Sequence, residues 1–114
     1  MPFVCLEIPA VLTRQTADTI RLGVKGAIHK HLATKDPKFD FVAVHEVSEQ
    51  IAGVTIDLRP GRTAEQKQGF VDEVGALLGQ QLGISAEDIY VVFREIVAEN
   101  HYCGGHPIAP FKPH

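Results

Sequence analysis

A strand–helix–strand plan runs twice along this chain, and few architectures accommodate such a pair. The first copy opens with Phe3-Val4-Cys5-Leu6-Glu7-Ile8, which reads as a strand. From Leu12-Thr13 a helix follows, with Ala17, Ile20, Val24, Ala27, Ile28 and Leu32 at helical spacing and Arg14, Asp18, Arg21 and Lys25 on the other face. Thr13 or Thr16 is placed to cap it. Thr34-Lys35-Asp36-Pro37 breaks the pattern, because proline resists continuing a helix and pushes its predecessor to an extended form. Residues 39–47 then read as a long second strand. Its mostly apolar odd positions, set against Asp40 and Glu46, predict one face more buried than the other.

Ala52-Gly53 reads as a turn, after which the plan repeats. Residues 54–58 are a strand, Arg59-Pro60-Gly61-Arg62 a turn, and about Thr63 to Leu82 a helix with Phe70, Val71, Val74, Leu77, Leu78 and Leu82 as its apolar stripe. Thr63 and Gln66 form a capping box, Gly83 is a left-handed stop, and residues 89–96 are the fourth strand. The expected organisation is one α+β domain over residues 1–114, a pseudo-repeat of 2–52 and 53–97 followed by an arm, 98–114. Two tandem β-α-β units pack naturally as one four-stranded sheet with both helices on one face. The opposite sheet face then lacks cover, and with so much Val and Phe in the strands it predicts an oligomer. The arm, with Gly104-Gly105 and three prolines, is expected to be ordered only where it lies on another surface.

Length and charge narrow the function. A chain of 114 residues is too short to enclose a cofactor-sized cleft between domains, so sites between subunits are expected. A net charge of −3 gives no general attraction to nucleic acid or to an anionic membrane, and no run reaches membrane-spanning length. Cys5 and Cys103 lack a C-x-x-C spacing and no export signal precedes the first strand, which points to the cytoplasm. His29 and His31, two apart on a helix, point to different sides, and the remaining histidines show no ligand spacing, so no metal is expected.

Two features carry chemistry. Pro2 stands almost at the head of the chain, and removal of Met1 would expose its nitrogen as a secondary amine; an α-amino group titrates near about 7.7–8. Arg59 and Arg62, together in one turn at a helix start, suit bidentate capture of a carboxylate, which predicts a small anionic ligand. As turn residues with little core to lose, they predict that Arg62→Ala weakens binding more than folding. Asp40 and His45 on the second strand are candidates for a pocket but read as surface residues, and Cys103 as a small buried hydrophobe.

The run Pro60-Gly61-Arg62-Thr63-Ala64-Glu65-Gln66-Lys67, the strand at 89–96 and Asn100-His101-Tyr102-Cys103-Gly104-Gly105 together resemble the 4-oxalocrotonate tautomerases. With Pro2 at its head, the chain over residues 2–105 is similar to the longer, two-unit members of the tautomerase superfamily. The nearest likeness is to the cis-3-chloroacrylic acid dehalogenase-like group and, less closely, to malonate semialdehyde decarboxylase. That resemblance implies a homotrimer in which Pro2 is the proton carrier and Arg59 and Arg62 bind the substrate carboxylate. His29 matches the group's active-site histidine, and Tyr102 lies near the aromatic residue that lines the pocket. Two departures stand out. The late glutamate that activates water in the dehalogenases has no counterpart, since Glu99 comes too early, and Tyr90 replaces the strand arginine of the short tautomerases, so that contact is either missing or reassigned to Arg59 or Arg94. The implied function is a cofactor-free tautomerase (isomerase) acting on a 2-hydroxydienoate or related enol/keto acid, with Pro2 as general base. Alternatives within the superfamily are a hydratase, dehalogenase or decarboxylase of a three-carbon acrylate or semialdehyde, or a non-catalytic trimeric binding protein.

Overall fold

The computed structural model describes residues 2–112. Four strands, β1 (Phe3–Ile8), β2 (Phe41–Glu46), β3 (Ala52–Leu58) and β4 (Ile89–Glu95), form one sheet, and two helices, α1 (Arg14–His31) and α2 (Ala64–Leu82), connect β1 to β2 and β3 to β4. The sheet order is β2-β1-β3-β4. β1 and β2 are parallel, as are β3 and β4, and the two units join through the antiparallel pair β1 and β3. Both helices lie on one face, as the doubled plan requires.

Local chemistry accounts for the boundaries. Thr13 caps α1 by accepting from the Thr16 amide at 3.1 Å. Thr63 and Gln66 form the reciprocal box at the start of α2, and Gly83 ends that helix at φ 69°, where a side chain would be strained. The core is built by one parity of each strand: Val4, Leu6 and Ile8, then Val42, then Ala52, Val54, Ile56 and Leu58. Against these pack Ile20, Val24, Ala27, Ile28 and Leu32 from the first unit and Phe70, Val74 and Leu78 from the second. A fully buried aliphatic or aromatic side chain contributes roughly 1.5–3 kcal/mol, and a helix cap about 1 kcal/mol. The sheet–helix interface, with many such side chains, therefore outweighs the caps in stability, while the caps set where each helix begins.

Two boundaries differ from expectation. Ala52-Gly53 is no turn: Ala52 pairs with Ile89 and Gly53 with both Tyr90 and Glu7, because the buried alternation Ala52-Val54-Ile56-Leu58 begins two residues earlier than the glycine implies. β2 starts at Phe41, since Pro37–Phe39 forms a single 3-10 turn capped by Asp36, whose carboxylate accepts from the Lys38 amide at 3.0 Å. Its inward residues are the even ones. Parallel register sets Val42 beside Val4, so Val42 is buried while Phe41 turns outward beside Phe3.

The uncovered sheet face is accordingly less aliphatic than the strand composition implies, because most of the valines point inward. One cross-strand row reads Phe41, Phe3, Asp57, Arg94. The two phenylalanine rings stack at 4.1 Å and 7° between planes, and Arg94 grips Asp57 with Nε at 2.6 Å and Nη2 at 2.9 Å. Phe3, Phe41 and Tyr90 are all exposed on this face. After β4 the chain makes a small hairpin, β5 (Tyr102–Cys103) and β6 (His106–Pro107), whose Gly104 and Gly105 both take positive φ. The tail then brings Phe111 against the turn between β3 and α2.

Candidate active site

Strand directions bring three chain segments to one end of the sheet. The starts of β1 and β2 lie there because those strands are parallel, and the end of β3 joins them because it runs against β1. Pro2 precedes the first rung, is buried, and accepts a hydrogen bond on its carbonyl from the Phe41 amide at 3.1 Å. Continuing both registers by one residue sets Pro2 between Asp40 and Leu58, on the helix-facing parity.

Asp40 is 2% exposed, so it is a core residue and not the surface residue its sequence suggests. Its Oδ2 accepts from the Thr34 hydroxyl at 2.9 Å, while Oδ1 has no partner among the described residues. Burial raises the Asp40 carboxyl above its ordinary value, opposed by the Thr34 hydrogen bond and by the charges of Lys25 and Arg62.

The arginine turn is also more enclosed than a surface turn. Arg62 is 6% exposed; its Nε donates to the Leu32 carbonyl at 3.0 Å and its Nη1 to the Arg59 carbonyl at 3.4 Å. The expectation of a turn arginine with little to lose in folding is therefore overturned, because this side chain ties the turn to the end of α1. Arg59 is half-buried and donates through Nη1 to the Ala109 carbonyl in the tail. Burial and the neighbouring Arg59 charge push the Arg62 guanidinium down to about 10, against the pull of Asp40. Burial lowers Arg59 as well. Nη2 of Arg62 and Nε of Arg59 are buried without a hydrogen-bond partner among the described residues. An unmet buried donor costs about 1–3 kcal/mol, more when charged, so both nitrogens favour an anion.

These groups line a cavity of about 260 Å³, with Thr34, Asp40, Arg59, Arg62, Phe39 and Phe111 on its walls. The Phe111 ring centroid lies 3.6 Å from Cζ of Arg62, a cation–π stack. Arg59 and Arg62 are thus together, and Pro2 is at the same sheet end. His29 does not line the cavity; it is exposed on α1, with Nδ1 2.7 Å from the carbonyl of Thr34, which does line it. In that contact Nδ1 is the donor. Tyr102 is 66% exposed on β5 and away from this cavity, where the tail instead supplies Phe111. Arg94 is engaged by Asp57 on the outer face. Sequence reasoning missed Thr34 and Phe111 and undervalued Asp40. The signal for Asp40 was its parity with Val42 and Val44, once the inward face of β2 is known.

A family model described as tautomerase enzyme matches residues 53–110, the second unit and most of the tail. A probable tautomerase of Bacillus cereus is 40% identical over 52 residues, 46% of this chain and 84% of that protein. Among solved structures, a fused 4-OT described as a wild-type symmetric trimer superposes with a TM-score of 0.82 at 18% identity, covering 92% of this chain and 94% of that one. A malonate semialdehyde decarboxylase, whose structures were related to decarboxylase and hydratase activities, gives a TM-score of 0.74 at 19% identity, with 90% of each chain covered.

Proposed function

Because the chain belongs to the tautomerase family, we propose that it is a cofactor-free tautomerase acting on a small 2-hydroxydienoate or related enol/keto acid. The observation that carries this reading is the pair of buried guanidinium nitrogens, at the sheet end where β1 starts, left without partners among the described residues. Arg59 and Arg62 hold the substrate carboxylate and stabilise the dienolate charge that builds as a proton leaves. Pro2, made the amino terminus by removal of Met1, is the base. Burial disfavours its ammonium form and the nearby guanidinium charges penalise it further, against the opposite pull of the adjoining Asp40 carboxylate, and in this reading the first two prevail and leave a neutral amine near pH 7. It takes the proton from the enol hydroxyl or the adjacent carbon and returns it at another carbon. His29 steadies Thr34, which in turn holds Asp40.

The functional unit in this reading is a homotrimer. The uncovered sheet face supports it, as does the trimeric assembly of the fused 4-OT relative. Tyr102, exposed in its own chain, contacts substrate only from a neighbouring copy. The test is conversion of phenylenolpyruvate and 2-hydroxymuconate by protein whose intact mass lacks Met1. No turnover by such protein, with carboxylate binding also absent, would defeat the proposal.

One observation favours a second reading, a hydratase or decarboxylase of a three-carbon acid. Asp40 presents a buried carboxylate oxygen without a partner among the described residues, which can orient or deprotonate water in a site that lacks the late glutamate. Measuring hydration of a propiolate or acrylate derivative beside enol conversion, in the same preparation and in Asp40→Asn, separates the two readings.

A further inference from the structure

A closed circuit of hydrogen bonds starts and ends beside the arginine turn. The Leu58 carbonyl, at the end of β3, accepts from the Ile96 amide at 2.8 Å. The Ile96 carbonyl lies 2.9 Å from Nε2 of the half-buried His101, and because a carbonyl only accepts, Nε2 is the donor. The His101 carbonyl accepts from the Ile108 amide at 2.9 Å, which sets the next residue, Ala109, where its own carbonyl takes a hydrogen bond from Nη1 of Arg59. Arg59 follows Leu58 in the chain, so the circuit closes. Ala109 is thereby bracketed. The bond to His101 holds the residue before it, and two residues on, the Phe111 ring stacks on Arg62 and fills the space over Gly61, where an added Cβ would stand 2.8 Å from Cδ2 of the ring.

The two arginines differ in what fixes them. Arg62 is held by the body of the chain, through the Leu32 and Arg59 carbonyls. Arg59 is held from the tail, by the Ala109 carbonyl, and the Phe111 ring centroid lies 5.8 Å from its Cζ. An arginine side chain has much rotamer freedom to lose, and a ligand that must freeze it binds more weakly than one that meets it already in place. The tether leaves Arg59 half-buried, with Nε meeting no hydrogen-bond partner among the described residues.

We infer that His101 is a positioning residue for the carboxylate site: it clasps the tail to the end of β4, and so holds the Ala109 carbonyl where it fixes the Arg59 guanidinium. This role rests on the proposed reading that Arg59 binds a carboxylate. His101 does not line the arginine cavity, and its effect passes through Ile108 and Ala109. With the clasp open, the tail drifts from the turn, Arg59 loses its anchor, and a carboxylate has to order the side chain as it binds.

The experiment is calorimetric titration of the full chain with muconate, a dicarboxylate without the enol hydroxyl of 2-hydroxymuconate, and thermal midpoints establish that each variant is folded. His101→Leu removes the ring donor, and Ile108→Pro opens the same circuit at the tail amide, since proline has no N–H. Both are expected to raise the dissociation constant by about fivefold or more, whereas His101→Gln, which keeps a side-chain N–H at similar reach, should stay within about twofold of the wild type. The order parameter of the Arg59 Nε–H should fall in His101→Leu and Ile108→Pro and recover in His101→Gln, a pattern that a merely structural histidine would not produce. Unchanged or tighter muconate binding by folded His101→Leu and Ile108→Pro overturns the positioning role and leaves the arginine site standing. Weaker binding with Arg59 as ordered as in the wild type overturns it too. No muconate binding by the wild type, or binding by Arg59→Ala as tight as the wild type's, overturns the arginine site itself and this inference with it.

Discussion

The Nε of Arg62 donates to the main-chain carbonyl of Leu32 at 3.0 Å, fastening the turn before α2 to the end of α1. Loss of that side chain would strand a buried carbonyl, so Arg62→Ala is expected to lower unfolding free energy by about 2 kcal/mol as well as abolish carboxylate binding. Arg59→Ala, which releases only the tail carbonyl of Ala109, should weaken binding with little change in stability. Urea denaturation of both variants beside the wild type checks this. Equal midpoints for the two would mean that the bond to Leu32 contributes nothing.

Pro2→Ala should keep the fold, since the hydrogen bond that the Pro2 carbonyl accepts from the Phe41 amide is one alanine retains. Enol-to-keto conversion should fall by about 10²-fold or more, the usual range for a displaced general base. In the wild type, kcat/KM should rise with pH along a limb belonging to the free amine. A tag that keeps the Pro2 nitrogen in an amide should be more damaging than the alanine, because it removes the lone pair. A tagged protein as active as the processed one would exclude the amine from catalysis.

The raised Asp40 carboxyl has a defined effect on stability. The folded chain holds that proton more tightly than the unfolded chain, whose value is the ordinary 3.8, so this contribution is present below that value and is lost as pH rises through the folded one. At pH 7 the ionised Asp40 therefore opposes folding. Asp40→Asn keeps an acceptor for Thr34 and should raise the thermal midpoint by a few degrees at pH 7, with the gain vanishing near pH 3. A lower midpoint at pH 7 would indicate that attraction to Arg62 and Lys25 outweighs burial.

On the outer sheet face, Phe41→Asp removes the stack with Phe3 and adds a carboxylate to a row that already holds Asp57. The wild type should sediment as a trimer at micromolar concentration, and the variant as a monomer with its helix content intact. A monomeric wild type would refute the proposed assembly.

The fold was legible because its signals are local. The stripe from Ile20 to Leu32, the Thr63–Gln66 box and the Gly83 stop each act within a few residues, and the doubled plan leaves little choice of sheet. The site was legible only where one segment carries it, as at Arg59 and Arg62. Which face of β2 is inward depends on pairing with β1, so the burial of Asp40 and the outward turn of Phe41 could not be read from residues 39–47 alone. The place of Phe111 is set by contact with Gly61, a relation with no periodicity to betray it.

Joining the two units through antiparallel β1 and β3 makes the two ends of the sheet chemically unlike. The second unit lends its arginine turn to the head of the first, so one site draws on both copies. At the far end the exchange is reversed in place but not in kind: the turn after β1 is Pro9-Ala10-Val11-Leu12, with no cation, and the strand head beside it is Ala52, whose nitrogen lies inside the chain. The diagonally opposite corner of the sheet thus bears neither amine nor guanidinium. Glu46 and Glu49 stand there instead, along a shallow cavity of the opposite charge.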